Sequence, residues 1–411
     1  MKQSQLFYKS LKQAPKDEES KNAQLLVRGG FIDKVMAGVY NYLPLGLRVL
    51  KKIENIIREE MNAIDGQEIL MPVLHPGENW KKTGRWDAMT VLFKLQGAGD
   101  KDLVLGPTHE EIVTPLGKKF IFSYKDLPHA VYQIQTKFRN EARSKSGLLR
   151  GREFAMKDMY TFDADEAGLD KIYAQVEKAY KKICERLGIG DITYKTYASG
   201  GTFSKYSHEY QTVCPTGEDT IYTCDKCKVA VNKELINELK KCPECSNSKL
   251  KEQKAIEVGN IFKLKTKFSD AFNLKYVAED GSEKPVIMGC YGFGPSRAMG
   301  TLAEIFNDKS GLIWPESVAP FDVHLLNLKA DNKDADKLYA NLIKQGIDVL
   351  YDDRPEIRAG EKLADADLIG IPHRLVISDK TKNKVEYKKR GDKKTKLITD
   401  KEIIKKVMGN K

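Results

Sequence analysis

The chain has 411 residues, of which 41% are apolar, 31% charged and 9% aromatic. At about 100–200 residues per domain this predicts two to four domains with a sizeable core, and it excludes fibres, largely disordered chains and small cross-linked folds. The net charge is +11, and the low-complexity basic end from Asp379 to Lys411, with thirteen Lys/Arg against five Asp/Glu, carries +8 of it, which suits phosphates or an anionic surface and equally a solvated charged face.

No apolar run reaches the ~20 residues of a membrane-spanning helix, and Lys2, Lys9 and Lys12 precede no apolar signal core. A cytoplasmic chain without membrane contact is expected. Of seven cysteines, four stand as Cys224-x-x-Cys227 and Cys242-x-x-Cys245, with Cys184, Cys214 and Cys290 single. That arrangement suits one metal site in a reducing compartment better than a disulfide framework.

From Leu47 to Ile64, Leu50, Ile53, Ile57, Met61 and Ile64 recur at helical spacing against Lys51, Lys52, Glu54, Arg58 and Glu59, which predicts a long amphipathic helix. Asp65-Gly66 ends it, and Glu68 to Met71, closed by Pro72, reads as an edge strand. A strand at Asp102–Leu105 leads into Gly106-Pro107-Thr108-His109-Glu110-Glu111. A carboxylate beside a hydroxyl can hold an ammonium group, with Glu110 supplying charge and Thr108 a directional acceptor. Thr108 with Glu111 also fits a helix-capping box, and the two readings are compatible.

Strands at Val131–Phe138 and Phe154–Phe162 flank a turn-rich basic segment. Joined as a hairpin, they aim Arg139 and Arg150 at a polyanion, while Glu141 can accept a hydrogen bond from an exocyclic amine and Phe154 can stack on a base. Ordinary surface ion pairs are the alternative. A helix follows from Glu166 to Leu187, with Leu169, Ile172, Val176, Tyr180 and Ile183 on one face. Further strands are expected at Asn260–Leu264, Leu274–Val277 and Val286–Tyr291. Short turns rather than regular crossover helices connect these strands, which points to a mainly antiparallel sheet with helices attached, an α+β body.

No Walker-type phosphate loop occurs, and Gly292-Phe293-Gly294-Pro295-Ser296-Arg297 has arginine where a dinucleotide loop needs its third glycine. A phosphate site here must use side chains, with Arg297 at the start of a helix running to Phe306; a glycine-kinked turn without ligand is the competing reading. Beyond the turn-rich joint Trp314–Pro320 the pattern alternates. Strands at Val323–Leu328, Ile347–Leu350 and Arg374–Ile377 and helices at Ala335–Gln345 and Lys362–Ile369 predict a small α/β domain of about 90 residues.

The helix leading to Met71-Pro72, the segment Phe138-Arg139-Asn140-Glu141 with Arg150-Gly151-Arg152-Glu153-Phe154, and the run Gly289-Cys290 to Ser296-Arg297 resemble motifs 1, 2 and 3 of the class II aminoacyl-tRNA synthetases. In detail the chain resembles the bacterial-type prolyl-tRNA synthetase family through Tyr42 to Gly46, the Thr108 loop, Tyr132 to Arg139, Met156-Lys157-Asp158, Ser207-His208-Glu209 and Leu368 to His373. The resemblance implies an α+β fold: a class II antiparallel sheet with helices over residues 1–221 and 255–318, and a small α/β anticodon-binding domain over 319–411. It also implies a homodimer through motif 1.

The implied activity joins L-proline to tRNA(Pro) through prolyl-adenylate made from ATP. Arg139 and Arg297 would be catalytic. Arg139 would contact the α-phosphate and the proline carboxylate, Glu141 the adenine amine and Phe154 the adenine face. Arg150 and Arg297 would contact the outer phosphates or the adenine plane, and Thr108 and Glu110 the proline ammonium. Mg²⁺ would bridge the phosphates, with Glu257 as a protein contact. Asn260 stands where the family has histidine, which alters a contact of the proline pocket. In the last domain Asp352, Asp353, Arg354, Lys362, Lys388, Lys389 and Arg390 are implied RNA contacts, the acidic ones for base edges and the basic ones for phosphates.

Only residues 222–254 lack a match to the family pattern, which in many bacterial members holds a long editing domain there. Two C-x-x-C knuckles separated by fourteen residues are near zinc-ribbon spacing, and four thiolates suit tetrahedral Zn²⁺. Iron, or reduced knuckles that bind nothing, are the alternatives. About 33 residues cannot build a core without such a staple. No hydrolysis of alanyl-tRNA(Pro) in cis is expected. The rival reading is a catalytically silent synthetase paralogue that binds RNA or regulates, whose signature would be a lost ATP-site arginine; Arg139, Arg150 and Arg297 are all present.

Overall fold

The computed structural model describes residues 1–142, 144 and 146–409. Arg143 and Lys145, within the basic segment of the motif 2 hairpin, and Asn410 and Lys411, at the basic end, lie outside the described residues. Two compact units form, one of residues 37–39 and 53–301, the other of residues 1–36, 40–52 and 302–411. Among the described residues no helix is long and apolar enough to cross a membrane.

Helix α1 (Pro44–Asn62) begins earlier than its apolar period, because proline suits a first helical turn, where its missing N–H has no partner to lose. Val49, Ile53, Ile57 and Met61 are fully buried along it. The chain turns where Asp65 adopts a φ of 60°. The expected edge strand is shorter than predicted: β1 is only Gln67–Glu68, with Ile69 N–H still donating to Tyr132 O (2.8 Å) before Pro72 ends the pairing.

The larger unit is built on β1, β2 (His129–Phe138), β3 (Glu153–Asp163), β4 (Thr193–Ser199), β5 (Tyr206–Val213), β6 (Asp219–Thr223), β7 (Val229–Asn232), β8 (Lys251–Lys265) and β9 (Ile287–Phe293). Their spatial order is β5-β4-β7-β6-β8-β9-β3-β2-β1. Neighbours are antiparallel except β1 with β2 and β4 with β7, which are parallel. At 15 residues β8 is long enough to pair β6 at its start and both β5 and β9 further along. The β5–β8 pairing closes β4 to β8 into a ring around Tyr194, Ile221, Ala230 and Ala255. The four-cysteine segment is thus no appendage, since its strand β7 lies inside the sheet between β4 and β6.

Helices α2 (Glu110–Gly117) and α3 (Glu166–Arg186) pack on this sheet. Asp165 caps α3 by accepting from Gly168 N–H (2.8 Å), and Leu169, Val176, Tyr180 and Ile183 are buried as their period predicts, with Tyr173 rather than Ile172 filling the remaining position. Two predicted strands stay outside the main sheet: Asp102–Leu105 pairs with Leu74–Pro76 and Phe93–Gln96, and Lys275–Val277 forms a hairpin with Glu283–Pro285. Strand β9 runs directly into α4 (Pro295–Ile305).

In the other unit, β10 (Val323–Asn327), α5 (Lys333–Lys344), β11 (Val349–Asp352), α6 (Ala359–Ile369) and β12 (His373–Ile377) follow the expected alternation, with β10 parallel to both β11 and β12. The basic end, expected as a charged low-complexity stretch, instead completes the domain as β13 (Val385–Lys389), β14 (Lys396–Ile398) and α7 (Asp400–Met408). Its lysines cover the outside while Val385, Tyr387, Ile398, Ile403 and Val407 join the core with Val323, Leu325 and Leu375. The chain start borders β11, the Met1 ammonium donating to Val349 O (2.7 Å) and Tyr351 N–H to Met1 O (2.9 Å).

Candidate active site

Strands β2 and β3 pair without a break from His129–Phe162 to Phe138–Glu153, and Arg139 N–H donates to Arg152 O (2.8 Å) one step further on. The hairpin therefore delivers Arg139 and Phe154 side by side, the guanidinium carbon 5.2 Å from the ring centre. Arg139 Nε is buried and has no hydrogen-bond partner among the described residues. Burial, and then the charge of Arg297, make its cation less favourable than usual, and an anion relieves both effects.

Arg297, in the first turn of α4, is held in place: Nε donates to Leu149 O, and Nη1 to Glu257 O and Oε2, each at 2.9 Å. Arg150 pairs with Glu141 (3.0 Å) and Glu218 (3.1 Å). Two cavities share Arg139, Glu257 and Arg297. One of about 240 Å³ is lined by Glu141, Leu149, Arg150 and Asp219. The other, of about 310 Å³, reaches Thr108, Phe154, Asp158, Asn260, Cys290 and the loop Ser199–Phe203.

Thr108 faces that second cavity, and Glu110 does not. Glu110 is fully buried, its oxygens taken by Thr108 Oγ1 (2.7 Å), Arg85 Nη1 (3.1 Å) and the Cys290 thiol (2.9 Å). The capping box suggested for Thr108 and Glu111 does not form, because Glu111 accepts from Thr83 (2.8 Å) and Arg85 (3.0 Å) instead. Asp158 lines the cavity and is fixed by Lys137 (2.8 Å), Gln133 (3.0 Å) and Tyr160 (2.9 Å). Asn260 Nδ2 donates to Glu257 (3.2 Å), while its Oδ1 is buried without a partner among the described residues. Glu209 shares the same wall, and burial, then the charge of Glu257, push its acid up to about 8.

Arg85, Asp158, Glu209 and the Ser199–Phe203 loop escaped assignment from the sequence. Two adjacent carboxylates at the start of an otherwise apolar helix do signal a buried cation, but nothing in spacing points to Arg85 as that cation. Gly200-Gly201 between two strands signals a loop and no more.

Cys224, Cys227, Cys242 and Cys245 bring their sulfurs within 4.8 Å of one another, with three pairs at 3.3–3.6 Å. Thiolates ~2.3 Å from a tetrahedral zinc lie about 3.8 Å apart, so the four fit that ion. The candidate RNA contacts divide. Asp352 is fully buried and accepts from Arg354 (2.7 and 2.9 Å); Arg354 also reaches Asp365 (2.9 Å), and buried Lys362 donates to Asn327 O (2.7 Å). Arg390 is bound by both oxygens of Asp308 (2.8 Å), and Asp353 accepts from Ser4. These charges, expected at RNA, satisfy one another inside the unit, and Asp352 and Lys362 are buried there. Lys388 and Lys389 remain toward solvent, Lys389 beside Glu316 (2.7 Å).

A buried arginine at the end of one strand, its Nε without a partner among the described residues, another arginine in the first turn of the helix after a second strand, and a Phe beside the first on an antiparallel sheet define a class II aminoacyl-tRNA synthetase core. Residues 93–306 match the family of the tRNA synthetase class II core domain (G, H, P, S and T), and residues 318–410 match the anticodon binding domain. The chain is 35% identical to the proline–tRNA ligases of Sulfurihydrogenibium sp. and of Persephonella marina, covering 98% of this chain and 99% of each relative. It is 33% identical to that of Dehalococcoides mccartyi, with 99% and 98% covered. The chain belongs to the proline–tRNA ligase family. Its fold is similar to that of the prolyl-tRNA synthetase from Cryptosporidium parvum, as complexed with halofuginone and AMPPNP (TM-score 0.78, 17% identity, 95% of this chain and 76% of that one) and with L-proline and AMP (TM-score 0.76, 18% identity, 95% and 74%).

Proposed function

We propose that the two cavities hold ATP and L-proline, and that the chain makes prolyl-adenylate and passes it to tRNA(Pro). The observation that carries this reading is Arg139, whose buried Nε has no partner among the described residues and which lines both cavities. The AMPPNP, L-proline and AMP bound by the Cryptosporidium parvum protein support the same pair of ligands. ATP takes the lobe of Glu141 and Arg150, with adenine against Phe154 and Arg297 and its amine donating to Glu141. Arg150 exchanges its carboxylate partners for phosphate oxygens.

Proline takes the lobe of Thr108. The Thr108 hydroxyl, oriented by donating to Glu110, turns its lone pairs to the ammonium, so Glu110 acts through Thr108; the free Oδ1 of Asn260 is a further acceptor. The proline carboxylate attacks the α-phosphorus, the bond to pyrophosphate breaks, and Arg139 with Arg297 stabilises charge spreading over the phosphoryl oxygens. No protein nucleophile is required. A terminal ribose hydroxyl of the tRNA then attacks the adenylate carbonyl, releasing AMP.

Glu257 lines both cavities and would be the protein contact for Mg²⁺. When bound, Mg²⁺ supplies neutralising charge at the phosphates. The four cysteines hold structural zinc. A homodimer through α1 and β1 covers Leu70, which is 75% exposed. Lys388 and Lys389 contact tRNA phosphates. The alignment with the Sulfurihydrogenibium relative runs over 559 positions, about 150 more than the chain contains. With 222–254 as its only insertion, we infer that the chain lacks cis editing.

ATP–pyrophosphate exchange with proline, alanine and threonine, on protein of measured zinc content, tests the reading. Exchange strongly favouring proline is expected. No exchange with any of the three, in folded dimeric protein, overturns the activation chemistry and favours a silent RNA-binding paralogue.

A further inference from the structure

The loop Ser199–Phe203 forms one wall of the proposed proline cavity and joins β4 to β5. Gly200-Gly201 within it gives its backbone little preference of its own. Side chains from the four-cysteine segment hold it instead. Glu234 Oε1 accepts from Ser199 N–H (2.5 Å), and Glu238 accepts from the Tyr206 hydroxyl, so both ends of the loop are tied to the turn that follows β7. Asn232, the last residue of β7, donates to Glu209 Oε2 (3.0 Å) on the same cavity wall. Glu244, between the second pair of cysteines, accepts from Lys195 (3.2 Å) and Tyr197 (2.7 Å) of β4. At the tip of the loop Phe203 packs on Phe262 (4.6 Å between centres) and under the guanidinium of Arg85 (4.5 Å).

The segment that supplies these anchors has almost no core of its own: Cys224, Val229 and Cys242, with Cys227 and Leu250 against them. Residues 228–241, which carry Asn232, Glu234 and Glu238, run from one cysteine pair to the other. An ion joining the four sulfurs therefore fixes both ends of the anchoring stretch.

We propose that the metal-bound four-cysteine segment is the positioning element for the amino-acid site: it holds the Ser199–Phe203 loop through Glu234 and Glu238, so that metal occupancy governs proline binding and leaves ATP binding unaffected. This rests on reading the larger cavity as the proline site. The ATP lobe is lined by none of the loop residues.

Pyrophosphate exchange on the full chain reads both Michaelis constants. In Glu234→Ala the KM for proline should rise about tenfold, the effect of losing one hydrogen bond to a charged acceptor, with the KM for ATP within about twofold of wild type. Glu234→Gln, whose amide oxygen still accepts from Ser199 N–H, should restore the proline KM. Chelating zinc from the wild type, verified by metal analysis, should raise the proline KM at least as much and speed amide exchange at residues 199–203, and it should add little to Glu234→Ala. If Glu234→Ala does not fold, Tyr206→Phe removes the other tie and should give the same split. Equal rises in the two KM values, or an unchanged proline KM with the metal gone, overturn the proposal. Absent proline exchange in the zinc-loaded wild type overturns instead the assignment of the cavity.

Discussion

Arg85 is one buried guanidinium serving two buried carboxylates, Glu110 at 3.1 Å and Glu111 at 3.0 Å, with side-chain exposures of 2%, 0% and 0%. Arg85→Met removes the counter-charge while keeping much of the volume. Breaking a buried pair costs about 3–5 kcal/mol, and the lost stacking of the cation on Phe203 and Trp80 adds about 1 kcal/mol, so a loss of about 5 kcal/mol is expected at pH 8. That is a large part of the ~5–15 kcal/mol typical of folded domains. Guanidinium chloride titrations at pH 8 and pH 5.5 provide the assay. Burial raises the Glu111 acid from its ordinary 4.5 to about 7 even against Arg85. An acid raised in this way binds more protons folded than unfolded between those values, so wild-type stability falls as pH rises through that window. Without the cation the fall should be steeper, and the variant's deficit should shrink at pH 5.5. Glu111→Gln in the variant background should recover part of the loss at pH 8 and flatten the dependence. A deficit below about 1 kcal/mol, or one equal at both pH values, would refute the view that Arg85 supports the Glu111 carboxylate at pH 8.

Arg297→Ala should lower the exchange rate by about 10²–10³-fold through lost transition-state stabilisation, with folding checked by circular dichroism; an unchanged kcat removes Arg297 from the chemistry. Alanine lacks two of proline's ring carbons, each worth about 10–200-fold in an apolar pocket, so it should still be activated, with kcat/KM about 10²–10⁴-fold below proline. The alanyl-tRNA(Pro) formed should persist, and rapid deacylation by the purified chain would show an editing activity. Replacing Lys388 and Lys389 by alanine should weaken tRNA binding and reduce its salt slope by about one to two units while leaving pyrophosphate exchange intact, as a filter-binding series across salt concentrations can check. Asp352→Ala should destabilise by about 3–5 kcal/mol in a denaturant titration, because Arg354 and Lys362 lose their buried counter-charge; a neutral result would show that both reach solvent.

Elements with a strong period were legible, and side-chain partnerships across long sequence separations were not. The buried faces of α1 and α3 follow their apolar spacing almost residue for residue, since burial itself imposes the period. That Arg139, Phe154 and Arg297 come together was legible because residues at strand and helix ends have few places to point. Glu110 was expected beside an ammonium group, and the pairing that buries it, with Arg85 25 residues earlier, has no signal in local spacing. Asp352 and Arg390 pair with Arg354 and Asp308: charge type is visible in sequence, but whether an Asp352 meets an Arg354 or a solvent molecule is decided by folding. The basic end was hardest to read, because its many lysines mask an apolar alternation only a few residues long at Val385, Tyr387 and Ile398.

The closure of β4 to β8 into a ring bears on what the four-cysteine segment permits by way of trimming. Strand β7 is the link between β4 and β6, pairing one in parallel and the other antiparallel. A chain shortened from Thr223 straight to Lys251 would leave two strands with bare rows of N–H and C=O groups facing each other across a gap too wide to bridge. Such edges recruit strands from other molecules. The position therefore accepts replacement by any segment that supplies a strand, and it does not accept deletion.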